Sequence, residues 1–186
     1  TRPTMRETVG VALSVLFLTA SLSGCTAVTD AITGNETVDV PVWEVGDWWL
    51  YTFSTPEYTD DTARLVVASV SEEGGTANML AISSLTEARR HAVLNHNPFL
   101  GRITHDDLAA FENGVAQTVM DFPLEEDNSW GFTLFSIEWQ AKVSDVSGDY
   151  VTIRADSDDG GRLDYVFDRS AGFFSSFIWK DPSGME

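Results

Sequence analysis

The stretch "IEWQAKVSDVSGDYVTIRADSDDGGRLDYVFD", residues 137–168, alternates apolar and polar residues in three successive runs. In the first, Ile137, Trp139, Ala141 and Val143 point one way, and Glu138, Gln140 and Lys142 the other. The second sets Val151, Ile153 and Ala155 against Tyr150, Thr152 and Arg154. The third sets Leu163, Tyr165 and Phe167 against Arg162, Asp164 and Asp168. A period of two marks a strand with one buried face. "SGD" at 147–149, "SDDGG" at 157–161 and "RSAG" at 169–172 separate the runs, as hairpin turns do. The C-terminal half therefore reads as an antiparallel meander with strands near 137–146, 150–156, 162–168 and 173–180.

Working outward, further strands are expected at 47–54, 62–71, 76–83 and 115–121. "ENG" at 112–114 fits a hairpin between 107–112 and 115–121, but a short helix capped by Thr104 and Asp107 competes for "HDDLAAF". A second helix candidate is "SLTEARRH" at 84–91. "DFPLEEDNSW" at 121–130 resembles a strand–loop–strand passage of small secreted β domains, in which a Trp after a polar loop re-enters the core. The fold class expected is all-β, an antiparallel meander of about eight to ten strands. It curls into a half-barrel or barrel, or packs as two sheets. The sequential last strands favour the curled form, because no crossing connection is needed.

The first 25 residues are of another kind. Arg6 is followed by "VGVALSVLFLTA" at 9–20 and then by Ser21, Ser23 and Gly24. A charge, a short apolar core and a small-residue exit are the parts of a secretory signal peptide. The core is shorter than the about 20 residues that a membrane span needs. "LSGC" at 22–25 ends it with the single Cys of the chain. This segment resembles the lipobox of bacterial and archaeal lipoproteins. The resemblance implies cleavage before Cys25, lipid on Cys25, and an extracytoplasmic protein anchored to the cell membrane. A lone Cys makes no intramolecular disulfide. The organisation expected is a signal peptide at 1–24, a lipidated flexible tether at 25–41, one β domain at 42–181 and a tail at 182–186. "NET" makes Asn35 a possible glycosylation site on the tether.

The chain has 29 acidic and 11 basic residues, a net charge of −18. Removal of residues 1–24 takes away Arg2, Arg6 and Glu7 and leaves −19. Such a surface repels nucleic acid, so no nucleic-acid partner is expected. Lys142 and Lys180 are the only lysines. Strong acidity with Arg preferred to Lys resembles proteins of salt-adapted archaea.

No residues assemble a recognisable catalytic motif. G-x-S-x-G and a Gly-rich phosphate loop with Lys are both missing from the sequence. His91, His96 and His105 stand five and nine residues apart, which fits no zinc motif. Asp156 and Asp158 in "DSDDGG" are a weak calcium candidate; the twelfth position of such a loop falls on Phe167 instead of Glu. No catalytic residue and no cofactor are therefore expected. The remaining candidates are aromatic. "WEVGDWWLYTF" at 43–53 places Trp49, Tyr51 and Phe53 on one strand face and Trp48 and Leu50 on the other. Phe173, Phe174, Phe177 and Trp179 form a second cluster. Trp48, Trp49, Tyr51, Phe53, Phe173, Phe177 and Trp179 either seal a core or line a ligand cleft. The function expected is a non-enzymatic binding or accessory module, taking an apolar solute, a glycan or a partner protein near the membrane. A structural or envelope-assembly lipoprotein is the second reading, and a surface hydrolase the third.

Overall fold

The computed structural model describes residues 37–56, 58–73, 76–86 and 97–183. Cys25, Asn35, His91, His96 and most of the 84–91 helix candidate lie outside the described residues. The strands in chain order are β1 (Trp48–Thr55), β2 (Tyr58–Glu73), β3 (Thr76–Thr86), β4 (Gly101–Thr104), β5 (Ala110–Glu112) and β6 (Val115–Gln117), then β7 (Ser129–Leu134), β8 (Ile137–Ser147), β9 (Tyr150–Asp156), β10 (Arg162–Asp168) and β11 (Phe173–Lys180). Among the described residues there is no helix, and so none long and apolar enough to cross a membrane. "HDDLAAF" runs into the β5–β6 hairpin, turned by Asn113 and Gly114 at positive φ.

The strands form two antiparallel meanders. One has the order β1-β2-β3-β4-β5-β6, the other β11-β10-β9-β8-β7. Neither closes into a barrel. An isolated antiparallel bridge joins Val38 to Leu124, so pairing begins inside the stretch read as tether. Val38 is buried there.

The alternation of residues 137–168 translates directly into burial. Trp139, Ala141, Val143, Val151, Ile153, Ala155, Leu163, Tyr165 and Phe167 are all buried. They meet Leu65, Val67, Ile103 and Ala110 of the first sheet in one core. The registers Val143↔Ile153 and Tyr165↔Ile153 keep these rows aligned across the sheet. Trp139 donates its indole N–H to the Leu134 carbonyl, 2.9 Å away, so its burial leaves no unmet donor. Trp130 packs half-buried against the core at the start of β7.

The two sheets are stitched at both seams by side chains reaching backbone groups. At one seam, Thr133 N–H of β7 donates to Gln117 Oε1 of β6 at 2.7 Å, and Ser136 N–H of the β7–β8 turn donates to Glu112 Oε1 of β5 at 3.0 Å. Between β1 and the start of β11 the stitches are aromatic.

Candidate functional site

On β1 the odd-numbered residues face inward. Trp49, Tyr51 and Phe53 pack against the core, joined by Trp43 from the segment ahead of the strand. Trp43 and Trp49 ring centroids are 4.6 Å apart, and Phe173 lies 4.8 Å from Trp43 and 5.0 Å from Trp49. Phe99 continues the cluster against Phe173, Phe174 and Phe177. Tilted and edge-on contacts of this kind add about 0.5–1.5 kcal/mol per pair beyond burial.

Each polar tip of the β1 side of the cluster is committed. Trp43 Nε1 donates to the Gly172 carbonyl at 2.9 Å, Trp49 Nε1 to the Ala171 carbonyl at 2.8 Å, and the Tyr51 hydroxyl to the Phe174 carbonyl at 2.7 Å. Burial, with a smaller contribution from the Asp168 carboxylate, pushes the Tyr51 hydroxyl far above the ordinary tyrosine pKa. Gly172 allows this closeness. It sits at φ +66°, and a Cβ there would lie 3.3 Å from Pro41 Cβ.

The second cluster does not keep the simple alternation of its sequence. Val166 pairs with Ser176 and Phe167 with Phe174, which leaves Ser175 as a bulge. The extra residue resets the parity. Phe174 and Phe177 then share the inner side with Tyr165, while Phe173 turns under Trp43 and Trp49. Trp179 reaches the rim of the core, 40% exposed, and stacks on Phe135 at 4.8 Å with ring planes 7° apart. The candidates Trp49, Tyr51, Phe53, Phe173 and Phe177 are therefore brought together as the seal between two sheets.

Trp48 is separated from them. It lies on the opposite, outward face of β1 with Leu50; they are 36% and 61% exposed. Trp48 pairs with Val66 and Leu50 with Arg64 on β2. The Arg64 guanidinium lies over the Trp48 ring, 4.2 Å from its centroid. A cation over an indole face is attracted by the ring quadrupole. The same arrangement recurs on β4 and β5, where Arg102 lies 4.5 Å over Phe111.

The calcium candidate is a charged hairpin turn. The Asp156 carboxylate accepts both Nε and Nη2 of Arg154, and Arg162 Nε lies 3.4 Å from it. The Arg154 hydrogen bonds, followed by those of Arg162, hold Asp156 below the ordinary carboxylate range. Asp159 accepts from Ser157 and from Gly161 N–H. Among the described residues no three His, Cys, Asp or Glu side chains gather as a metal site.

Comparison with known protein families, with curated proteins and with solved structures finds no match. The site is therefore read from its own chemistry. Sequence reasoning placed Leu50 beside Trp48 on the outward face, but it missed Trp43 and Phe99 as members of the aromatic seal, and Arg64 and Arg102 as its outward counterparts. The outward pairing was legible in part: Leu50 alternates with Trp49 and Tyr51. The cross-strand placement of Arg64 was not, because register is a property of two strands.

Proposed function

We propose that the chain is a non-enzymatic docking module, lipid-anchored through Cys25 outside the cytoplasm, which receives a partner protein on the outward face of β1 and β2. The carrying observation is the division of the aromatics. The inward tips are used up in the seal, whereas Trp48 and Leu50 remain in solvent beside Val66 and Arg64. Trp and Arg are the residue types that concentrate binding energy in protein interfaces. Exposed apolar side chains that are contiguous on one face point to an interaction site. The tether supports this use. From Cys25 to the Val38 bridge, 13 residues span at most about 45 Å, so the face stays close to the membrane.

Cells carrying a photo-crosslinking residue at position 50 or 144 test both halves of the reading. The expected result is a membrane-bound protein that forms a discrete adduct from position 50 and none from the exposed Ser144 on β8. Cys25→Ser is expected to take up no lipid label and to keep residues 1–24, running as a larger precursor than the parent. A parent protein that takes up no lipid label, or a Cys25→Ser protein processed like the parent, overturns the anchor, and equal adducts from both positions overturn the face.

A further inference from the structure

The cations of the two sheets are placed differently. On the outward face of the β7–β11 sheet each has a carboxylate: Lys142 with Asp127 at 2.7 Å, Arg154 with Asp156 at 2.8 Å, Arg162 with Asp156 at 3.4 Å, and Lys180 with Asp164 at 3.5 Å. On the outward face of the β1–β6 sheet, Arg64 and Arg102 lie on aromatic rings instead, and no carboxylate among the described residues pairs with either. In a chain of net charge −18, guanidinium groups that no described carboxylate pairs with are unexpected on this face. Arg64 Nε is shielded from solvent and has no hydrogen-bond partner. The Trp48 ring lies under the guanidinium and attracts its charge without neutralising it, and no described carboxylate does so.

We propose that the outward face of the β1–β6 sheet recognises an acidic, apolar segment of a partner protein, with Arg64 receiving a carboxylate while the flanking apolar side chains cover Trp48, Leu50 and Val66. The inference rests on the docking reading above and names the chemistry of its partner. A guanidinium binds a carboxylate through two parallel N–H···O bonds, and the contact of Arg64 with the Trp48 ring restricts the side chain before a partner arrives. Arg102 offers a second acceptor site. It is two strands away, about 10 Å, and displaced along β3 by the four residue steps from Leu85 to Ala81, about 13 Å. A protein segment fits better than an anionic bilayer. The whole-chain charge repels a uniformly negative surface, whereas a few carboxylates on an apolar segment meet the two arginines without that opposition.

Fluorescence anisotropy with three labelled synthetic peptides tests the proposal on the detergent-solubilised full chain. One peptide alternates Val and Glu, the second Val and Gln, and the third Val and Lys. The expected order is Glu over Gln over Lys. Arg64→Gln should weaken the Glu peptide about tenfold or more, which is about 1.4 kcal/mol, and Arg64→Lys should recover only part of the loss. Arg154→Gln on the other sheet should leave binding unchanged, and circular dichroism should show all variants folded. Equal binding of the Glu and Gln peptides, lost together in Trp48→Ala, overturns the acidic partner but keeps the docking face. No binding of any peptide overturns both. Arg64-dependent binding to phosphatidylglycerol vesicles without peptide binding overturns the proposal in favour of a lipid surface.

Discussion

Tyr51 shows how one side chain serves two sheets. Its ring lies in the β1 row while its hydroxyl bonds the backbone of Phe174 on β11. Burial and Asp168 both disfavour its ionised form. Below about pH 10, the ordinary tyrosine value, folded and unfolded chains both keep the proton. Above that pH the unfolded chain releases it and the folded chain does not, so the folded state loses relative stability. Tyr165, raised by burial and bonded to the Val119 carbonyl, acts in the same direction. Tyr51→Phe is expected to cost about 1–2 kcal/mol at neutral pH, through the unpaired Phe174 carbonyl. The same variant should show a shallower decline above pH 10 in urea titrations, about one tyrosine's worth. A decline as steep as the parent's sinks this account of Tyr51.

At the scale of the element, the β9–β10 hairpin is a charged clasp over an apolar row. Arg154, Asp156 and Arg162 stand outward while Val151, Ile153, Ala155 and Leu163 lie in the core. The folded-state pKa of Asp156 is depressed, so its contribution is present above the unfolded value of 3.8 and is lost as pH falls through the folded value. The pair is half exposed, which limits it to about 0.2–1 kcal/mol. Asp156→Asn should lower stability by that amount at neutral pH and converge with the parent in acid, as followed by urea midpoints between neutrality and pH 3. A difference that persists unchanged in acid assigns the cost to something other than charge. The β7–β8 turn is the contrasting element. Phe135 and Ser136 both hold positive φ, 57° and 61°, in a two-residue turn without Asn or Gly. Strain at such positions is of order 1–3 kcal/mol each. The Phe135 stack on Trp179 and the Ser136 bond to Glu112 are what this turn gains. That turn explains why β7 was not legible: "SWGFTL" alternates, but it runs into β8 with no residue that announces a turn.

At the scale of the whole molecule, charge dominates. Against a net −18, the ion pairs on the β7–β11 sheet are all partly exposed and individually weak. Salt shortens the Debye length from about 10 Å at 0.1 M to about 3 Å at 1 M and so screens both the pairs and the general repulsion. Repulsion among many unpaired acids is the larger quantity here. The melting temperature is therefore expected to rise with KCl from low to molar concentration, as measured by differential scanning calorimetry. A flat or falling curve would show that the pairs outweigh the repulsion and would remove the salt-adaptation argument.

The sequence by itself determined the all-β class, and it placed β8, β9, β10 and β11 to within a residue. Period-two alternation there coincides with one-sided burial, and Gly, Asp and Ser mark each turn. It also separated Trp48 from Trp49, because adjacent strand residues face opposite ways. Only the tertiary structure decided the rest. Two open sheets stand in place of a closed one because β6 meets β7, and β1 meets β11, through side chains instead of a ladder. The bulge at Ser175 moved Phe174 inward and sent Phe173 under Trp43. Register put Arg64 over Trp48. Each of these depends on groups far apart in the chain, and local periodicity carries information only about neighbours within one strand.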